Sequence, residues 1–152
     1  EVMGRDSGYI ASRVALAGGV ENVIIPELPY ECDQICEEIR QGHERGKISW
    51  IVVAAEGAGH APDIAARLKE GTGLETRTAV LGHIQRGGRP TAFDRILAAR
   101  LGAFAVEIFR TGVHDVCVTA HDDTMSTVPL SEAIKPKDLE MSDYYRLIKI
   151  LT

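Results

Sequence analysis

Short apolar runs alternate with helical stretches along most of this chain, and this alternation constrains the fold more than any other feature. The runs are rich in β-branched residues, which favour strands: NVIIP (22–26), SWIVVAA (49–55) and TRTAVLG (76–82). The second run is apolar on both faces, which is typical of a parallel strand covered on both sides. We therefore expect an α/β fold, a three-layer sandwich with a mainly parallel sheet.

The helical stretches carry apolar residues three or four positions apart. They are 6–17, 31–45, 62–70 and 91–112, with further helices near 130–134 and 142–151 and strands near 115–119 and 124–128. In the first stretch, Ile10, Val14 and Ala17 recur at helical spacing. Asp6 or Ser7 is a candidate N-cap, because a short polar side chain can bind the free amides of a helix start.

Composition narrows the classes of partner. The net charge of -5 argues against a general nucleic-acid binder, and no apolar run approaches the roughly 20 residues that span a bilayer. No signal peptide is evident, so we expect a cytoplasmic protein with no membrane or nucleic-acid partner.

The cysteines, Cys32, Cys36 and Cys117, are expected to be free thiols, and their surroundings suggest no metal site. The chain starts at Glu1, close to a Gly-Arg turn, and we expect a fragment.

Polar side chains follow the ends of two predicted strands. Arg5 follows Gly4 just before a helix start, where a positive dipole end and free amides favour an anion. The alternative is a surface arginine near a cap. Glu56 ends SWIVVAA, where its carboxylate can accept hydrogen bonds from a polyol or can simply face solvent.

A third strand end carries more cationic groups. His83 and Arg86 follow Gly82, and an arginine can grip a phosphate through two parallel hydrogen bonds. Arg77 lies six residues before His83, roughly 20 Å away along an extended strand. Arg77 is therefore either structural or directed at another site, such as one in a neighbouring subunit. Together, the three strand ends suggest a polyol-phosphate site at the switch point of an α/β sheet.

Several motifs occur together in this order along the chain. They are EVMGR (1–5), AGG with Glu21 in AGGVE (17–21), Glu56 after VVAA, TGLETRT (72–78), and VLGHIQRGGRP with FDRILA within 80–103. In these motifs the chain resembles the C-terminal half of the bacterial 6-phosphofructokinase family, over nearly all of its length. LGHIQRGG is the most specific of the motifs.

The resemblance implies a substrate site for fructose 6-phosphate. Met3, Gly4 and Arg5 match the loop that holds the sugar phosphate, and Arg5 is implied as the catalytic residue that stabilises the transferring phosphoryl group. Glu56 matches the carboxylate for sugar hydroxyls, and Arg77 matches an arginine donated to the adjacent subunit. The segment around the 6-phosphate is matched by His83, Ile84, Gln85 and Arg86.

The resemblance also implies an effector site. Gly19, Val20 and Glu21 match an effector-nucleotide loop in which the glutamate works through a magnesium ion. Basic ligands for the effector phosphate are matched by Arg45 and Lys47. The family often continues with lysine and histidine, whereas this chain has Ile48 and Ser49. Regulation by ADP or phosphoenolpyruvate therefore stays open.

For the whole protein, the resemblance implies an allosteric, homotetrameric glycolytic kinase. It would phosphorylate fructose 6-phosphate to fructose 1,6-bisphosphate with ATP and Mg²⁺. Residues 1–90 would form part of the sugar and effector domain, and residues 91–152 a return segment packed on an absent N-terminal nucleotide-binding domain. The ATP loop and the aspartate base would lie upstream, so this half alone would be inactive. Pyrophosphate as the donor, or a non-catalytic sugar-phosphate-binding subunit, are the alternatives.

Overall fold

The computed structural model describes residues 1–135 and 142–151. In chain order its elements are α1 (Tyr9–Gly18), β1 (Asn22–Ile24), α2 (Cys32–Glu44), β2 (Val52–Ala54), α3 (Ala61–Thr72), a 3₁₀ helix (Gly82–Arg86), α4 (Ala92–Arg110), β3 (Val116–His121), β4 (Thr124–Pro129), α5 (Leu130–Ala133) and α6 (Ser142–Leu151). The described residues form two compact units, one of residues 1–87 and 142–151 and one of residues 88–135. Each predicted helix is present, with ends shifted by a few residues.

A parallel sheet organises the first unit. β1 pairs with β2, with Asn22 opposite Val52 and Ile24 opposite Ala54. Val2 adds a parallel bridge to Ala55 beyond the end of β2. The carboxyl ends of these segments therefore lie at one edge of the sheet, where ligands bind in α/β proteins.

The strand predicted over residues 76–82 does not form. The amino group of Glu1 donates to the carbonyl of Ala79 at 2.8 Å, and the amide of Leu81 donates to the carbonyl of Glu1 at 3.1 Å. Two parallel strands form bonds of this pattern, but here only Glu1 takes part from the N-terminal segment, so the two segments do not form a continuous β-ladder. The apolar run is therefore an extended segment that leads directly into the 3₁₀ helix at Gly82.

Helices cover both faces of the parallel sheet. Successive strand residues face opposite ways, so Val23 and Val53 pack with α1 and α6 while Ile24 and Ala54 pack with α2 and α3. The first cluster includes Ile148 of α6, which is 2% exposed. The predicted three-layer α/β arrangement is confirmed in this unit.

The face of α1 that packs on the sheet is not the face that carries its larger apolar residues. Ala11, Ser12 and Ala15 are buried, whereas Ile10 and Val14 are 38% and 41% exposed. Most of the buried face therefore consists of small residues, and α1 starts close to the residue that follows β1. A Cβ atom on Gly8 would collide with the side chain of Ile25.

Two side chains bind the amides at the start of α1. The structure places the helix start at Tyr9 and the N-cap at Gly8. Ser7 Oγ accepts the Tyr9 amide at 3.2 Å, so this candidate binds a free amide of the helix start, although from the position before the N-cap. The amide of Gly8 donates to the carboxylate of Glu27, at 2.7 and 2.9 Å from its two oxygens. The sequence prediction missed Glu27 because the β1–α2 loop brings it from a distant part of the chain.

The second unit has an antiparallel hairpin, so the parallel prediction holds only for the first unit. β3 pairs with β4, from Val116 opposite Pro129 to His121 opposite Thr124. α4 begins with a capping box in which Thr91 and Asp94 bind each other's backbone amides. Its half-buried apolar residues are Leu97, Leu101, Phe104 and Ile108.

The cysteine thiols are free. Cys32 and Cys36 are buried in α2, and burial, followed by the neighbouring Cys32 thiol, raises the pKa of Cys36. Within residues 1–135 and 142–151, no helix combines the length and apolar character needed to cross a bilayer.

Candidate functional site

A small open cavity lies at the carboxyl edge of the parallel sheet. Its volume is about 370 Å³, and its lining is Met3, Gly4, Arg5, Ile10, Glu56, Gln85 and Arg86. These residues come from four places in the sequence: the loop after the Val2 bridge, the first turn of α1, the end of β2 and the 3₁₀ helix. Six of the nine predicted substrate-binding residues therefore meet here. The sequence interpretation missed Ile10 as a lining residue, since its spacing marked it as helix core.

Two side chains hold three consecutive amides of the loop at residues 3–5. The amide of Met3 donates to Gln85 Oε1 at 2.8 Å. The amides of Gly4 and Arg5 both donate to Glu56 Oε1, at 3.1 and 2.6 Å. Both side chains also line the cavity, so the loop is bonded to the residue that follows β2 and to the 3₁₀ helix.

The electrostatics of the cavity favour an ionised Glu56 and an anionic ligand. The hydrogen bonds from the Arg5 and Gly4 amides, with the nearby guanidinium charges of Arg5 and Arg86, hold the pKa of Glu56 below its usual value. The cavity thus combines one carboxylate with two arginines, and the guanidinium groups can bind phosphate oxygens. A ligand with both hydroxyl groups and phosphate fits this combination.

Two predicted phosphate ligands lie on the 3₁₀ helix but outside the cavity lining. His83 and Ile84 are exposed, and Ile84 keeps 80% of its surface in solvent. Arg86 and Gln85, from the same short helix, are the ones that reach the cavity.

Arg77 lies in a different place from the other predicted substrate ligands. Its side chain is 87% exposed and pairs with Glu75 at 3.0 Å. It lines a second, larger cavity of about 810 Å³, together with Lys47 and Trp50 among others. Its predicted role towards a neighbouring subunit stays a prediction.

The first amides of α1, expected to form an anion site together with Arg5, are bonded within the chain. The Glu27 carboxylate accepts the Gly8 amide, and two residues, Asp6 and Ser7, lie between Gly8 and the loop residue Arg5. Arg5 lines the cavity, and its expected role in binding an anion there stays a prediction. At the helix start, the Gly8 amide binds Glu27 and the Tyr9 amide binds Ser7 Oγ, so a ligand would have to displace these bonds to use either amide.

The predicted effector residues divide into a contacting pair and its neighbours. Glu21 Oε1 lies 2.6 Å from Lys47 Nζ, and Glu21 Oε2 accepts the Ile51 amide at 2.7 Å. Burial by itself would raise the pKa of Glu21, but the bonds from Lys47 and Ile51 outweigh it and lower the pKa. Lys47 also lies over the ring of Trp50, 5.0 Å from its centroid.

The other predicted effector residues lie at or next to helix ends. Gly19, at φ 61°, is the left-handed C-cap of α1, and the next residue, Val20, is buried. Arg45 is the exposed C-cap of α2. Gly19 and Arg45 are thus placed by helix ends.

The magnesium role implied for Glu21 does not fit this geometry. Both of its carboxylate oxygens are bonded within the chain, one to the Lys47 ammonium, which stands where a cation would bind. In the part of the chain that the structure describes, no group of three or more His, Cys, Asp or Glu side chains could hold a metal ion.

Sequence comparisons match these motifs to known enzymes. ATP-dependent 6-phosphofructokinases from Bacillus pumilus and Bacillus subtilis are 45% and 44% identical to the chain over all of its 152 residues. The match takes in 48% of each of those proteins. The chain therefore spans about half the length of the curated relatives it matches.

Solved structures share the fold. The crystal structure of Pichia pastoris phosphofructokinase in the T-state superposes with a TM-score of 0.71 at 30% identity, over 99% of this chain and 18% of that one. A pyrophosphate-dependent phosphofructokinase from Nitrosospira multiformis gives 0.67 over 98% of this chain and 46% of that one, and its 22% identity shows the fold alone. A sequence model described as phosphofructokinase matches residues 1–109. This chain belongs to the phosphofructokinase family.

Proposed function

We propose that this chain is the sugar-phosphate-binding half of a glycolytic, ATP-dependent 6-phosphofructokinase. The complete protein transfers a phosphoryl group from ATP to fructose 6-phosphate and yields fructose 1,6-bisphosphate. The observation that carries the proposal is the meeting of Arg5, Glu56 and Arg86 around one cavity at the sheet edge. The names of relatives 43–45% identical to the chain support the same reaction.

The cavity residues divide the work by their chemistry. Arg86 grips the 6-phosphate through charge-assisted hydrogen bonds, with His83 beside it on the same helix. Glu56 accepts bonds from sugar hydroxyls through Oε2, since Oε1 already holds two amides. Arg5 stabilises the negative charge that builds up on the transferring phosphoryl group, and such positioned charge is the main source of catalysis in phosphoryl transfer.

ATP and Mg²⁺ belong to the complete protein in this proposal. Mg²⁺ would neutralise charge on the phosphates, and its ligands, the ATP loop and the aspartate base lie upstream of Glu1. Pyrophosphate is the alternative donor, but the pyrophosphate-dependent neighbour is only 22% identical, whereas ATP-dependent relatives are 43–45% identical. A non-catalytic sugar-phosphate-binding subunit would result if the upstream base were lost.

The surface of α4 supports the proposed domain arrangement. The segment expected to return to an upstream nucleotide-binding domain, residues 91–152, is divided by the structure, because α6 packs on the parallel sheet of the first unit. We infer that residues 88–135 pack on the upstream domain, while residues 1–87 and α6 belong to the sugar and effector domain. Large apolar side chains are exposed on α4, as an unfilled interface requires: Phe93 (72%), Ile96 (59%), Val106 (60%) and Phe109 (77%). We further propose a cytoplasmic homotetramer in which Arg77 reaches a neighbouring subunit's site.

Allosteric control would act at the ion pair of Glu21 and Lys47 and at the residues around it. Arg45 and Lys47 would supply cationic ligands for an effector phosphate beside the Gly19 turn. Because Lys47 already neutralises Glu21, an effector nucleotide would have to displace this ion pair in order to bring magnesium to the carboxylate. Effector binding would then compete with an internal bond.

The test uses the complete protein that carries this chain. Purified protein is assayed for fructose 1,6-bisphosphate formation with ATP or with pyrophosphate as the donor. We expect turnover with ATP and Mg²⁺, and no turnover from the 152-residue chain alone. Turnover with pyrophosphate but not with ATP would show that pyrophosphate is the phosphoryl donor. The absence of turnover with either donor, combined with calorimetric binding of fructose 6-phosphate, would establish the non-catalytic alternative.

A further inference from the structure

We propose that Glu56, Gly57 and Gln85 are positioning residues that hold Arg5 in a left-handed backbone conformation at the edge of the cavity. This inference rests on the proposed function for its effect on catalysis, but its structural part stands independently. Resemblance assigns Glu56 and Gln85 to the substrate, and Gly57 carries no assignment. The bonding of the loop indicates that these residues first bind the protein's own backbone.

Arg5 has an unusual conformation that its surroundings must maintain. Its φ is +50°, in the region that residues with a side chain seldom adopt. The short bond from the Arg5 amide to Glu56 Oε1 fixes one side of this residue, and the Gly4 amide shares the same oxygen. A carboxylate that binds two successive amides stabilises this local turn of the chain.

Gly57 determines the other side of Arg5. A Cβ atom on Gly57 would collide with the Arg5 carbonyl oxygen, and it would lie 3.1 Å from Cα of Asp6. These are backbone atoms, which cannot swing aside as a long side chain could. Residues 56 and 57 therefore accommodate both polar backbone groups of Arg5, the amide through a hydrogen bond and the carbonyl through the missing side chain.

Gln85 connects the same loop to the phosphate-binding helix. Its Oε1 accepts the Met3 amide, and Arg86 follows it directly in the chain. Arg5 and Arg86 are thus tied to one another through one side-chain hydrogen bond and a few backbone bonds. The relative placement of two guanidinium groups is what a site for a phosphorylated sugar has to control, because a displacement of about 1 Å can cost a hundredfold in rate.

The decisive substitution is Gly57→Ala in the complete protein, since this residue has no side chain with which to touch substrate. We expect kcat to fall about a hundredfold. In an Arg5→Ala background the same substitution should change kcat less than about twofold, because its effect passes through Arg5. The control is Gly18→Ala, whose added Cβ meets Val20 at an ordinary 3.6 Å, and it should retain wild-type activity. A full loss from Gly57→Ala in the Arg5→Ala background would overturn the inference.

Two further measurements keep the inference testable if activity or folding fails. A crystal structure of the complete Gly57→Ala protein should show Arg5 out of the left-handed region, with its bond to Glu56 broken. An unchanged Arg5 would refute the positioning role whether or not the protein is a kinase. If Gly57→Ala does not fold, Gln85→Met removes the acceptor for the Met3 amide and keeps the length of the side chain. It should lower kcat in the wild-type background and not in the Arg5→Ala background, and equal losses in both would count against the inference. A wild-type protein without kinase activity would refute the proposed function alone.

Discussion

Lys149 Nζ on α6 lies 2.6 Å from Glu38 Oε2 on α2, although these two helices cover opposite faces of the parallel sheet. The same carboxylate oxygen accepts the side-chain amide of Asn22, the first residue of β1, at 2.8 Å. Asn22 in turn accepts the Trp50 indole N–H at 2.7 Å. This network links the terminal helix to the strand and helix framework of the first unit.

Lys149→Met should lower the free energy of unfolding of the 152-residue chain by about 1 kcal/mol, since it removes one half-buried ion pair and keeps the aliphatic stem. Urea unfolding followed by circular dichroism measures this. The matched control is Arg146→Met on the same helix, whose pair with Asp143 is about 70% exposed, and it should cost less. Equal losses from both variants would show that the Lys149–Glu38 bond contributes nothing specific.

Acid should weaken this network. Burial alone would raise the pKa of Glu38, but the bonds from Lys149 and Asn22 lower it below its usual 4.5. A depressed folded-state pKa contributes stability above pH 4.5 that is lost as the pH falls through the folded value. The wild-type chain should therefore lose more stability between pH 6 and pH 3 than Lys149→Met does. Parallel pH profiles for the two proteins would contradict this assignment.

Gly42→Ala should destabilise the fold although alanine favours helices. An added Cβ on Gly42 in α2 would collide with the Trp50 ring, and overpacking of this kind costs about 1–3 kcal/mol. Gly102 is also inside a helix, but nothing lies within 4 Å of its added Cβ. Gly102→Ala should be neutral or stabilising by up to about 1 kcal/mol. Thermal unfolding of both variants compares them, and an unaffected Gly42→Ala would mean that Trp50 moves aside freely.

Arg86→Ala in the complete protein should raise KM for fructose 6-phosphate about ten- to hundredfold, through the loss of a charge-assisted bond. Steady-state kinetics at saturating ATP provides the measurement. Arg67→Ala serves as control, since Arg67 is exposed on α3 and away from the cavity. An unchanged KM would show that Arg86 does not bind the phosphate of the substrate.

Arg77 provides the test of a shared active site. It lines a different cavity from Arg86 and pairs only with exposed Glu75 among the ion pairs of the described residues. If it serves a neighbour, Arg77→Ala subunits mixed with subunits disabled in the upstream aspartate should regain activity. Some hybrid sites would then combine an intact base with a donated Arg77. Once subunit exchange is verified, activity no greater than the sum of the parents would place Arg77 in its own chain's site.

Local patterns in the sequence predicted most of the helices and strands and three of the residues that line the cavity. β-branched runs predicted β1 and β2, and helical spacing predicted α2, α3 and α4, because these preferences act over a few residues. The motif residues Arg5, Glu56 and Arg86 were recognised individually, and parallel strand ends bring such residues to one edge.

Tertiary structure decided what depends on partners distant in sequence. The run at 76–82 has as many β-branched residues as SWIVVAA (49–55), but a ladder needs a paired segment, and its partner contributes only Glu1. The larger side chains of Ile10 and Val14 were expected to be buried, yet the small residues Ala11 and Ala15 are the ones that face the sheet. The positive φ of Arg5 likewise depends on Glu56 and Gly57, about fifty residues away. Hydrogen bonds and close contacts between distant residues are invisible to local periodicity, because they exist only once the chain has folded.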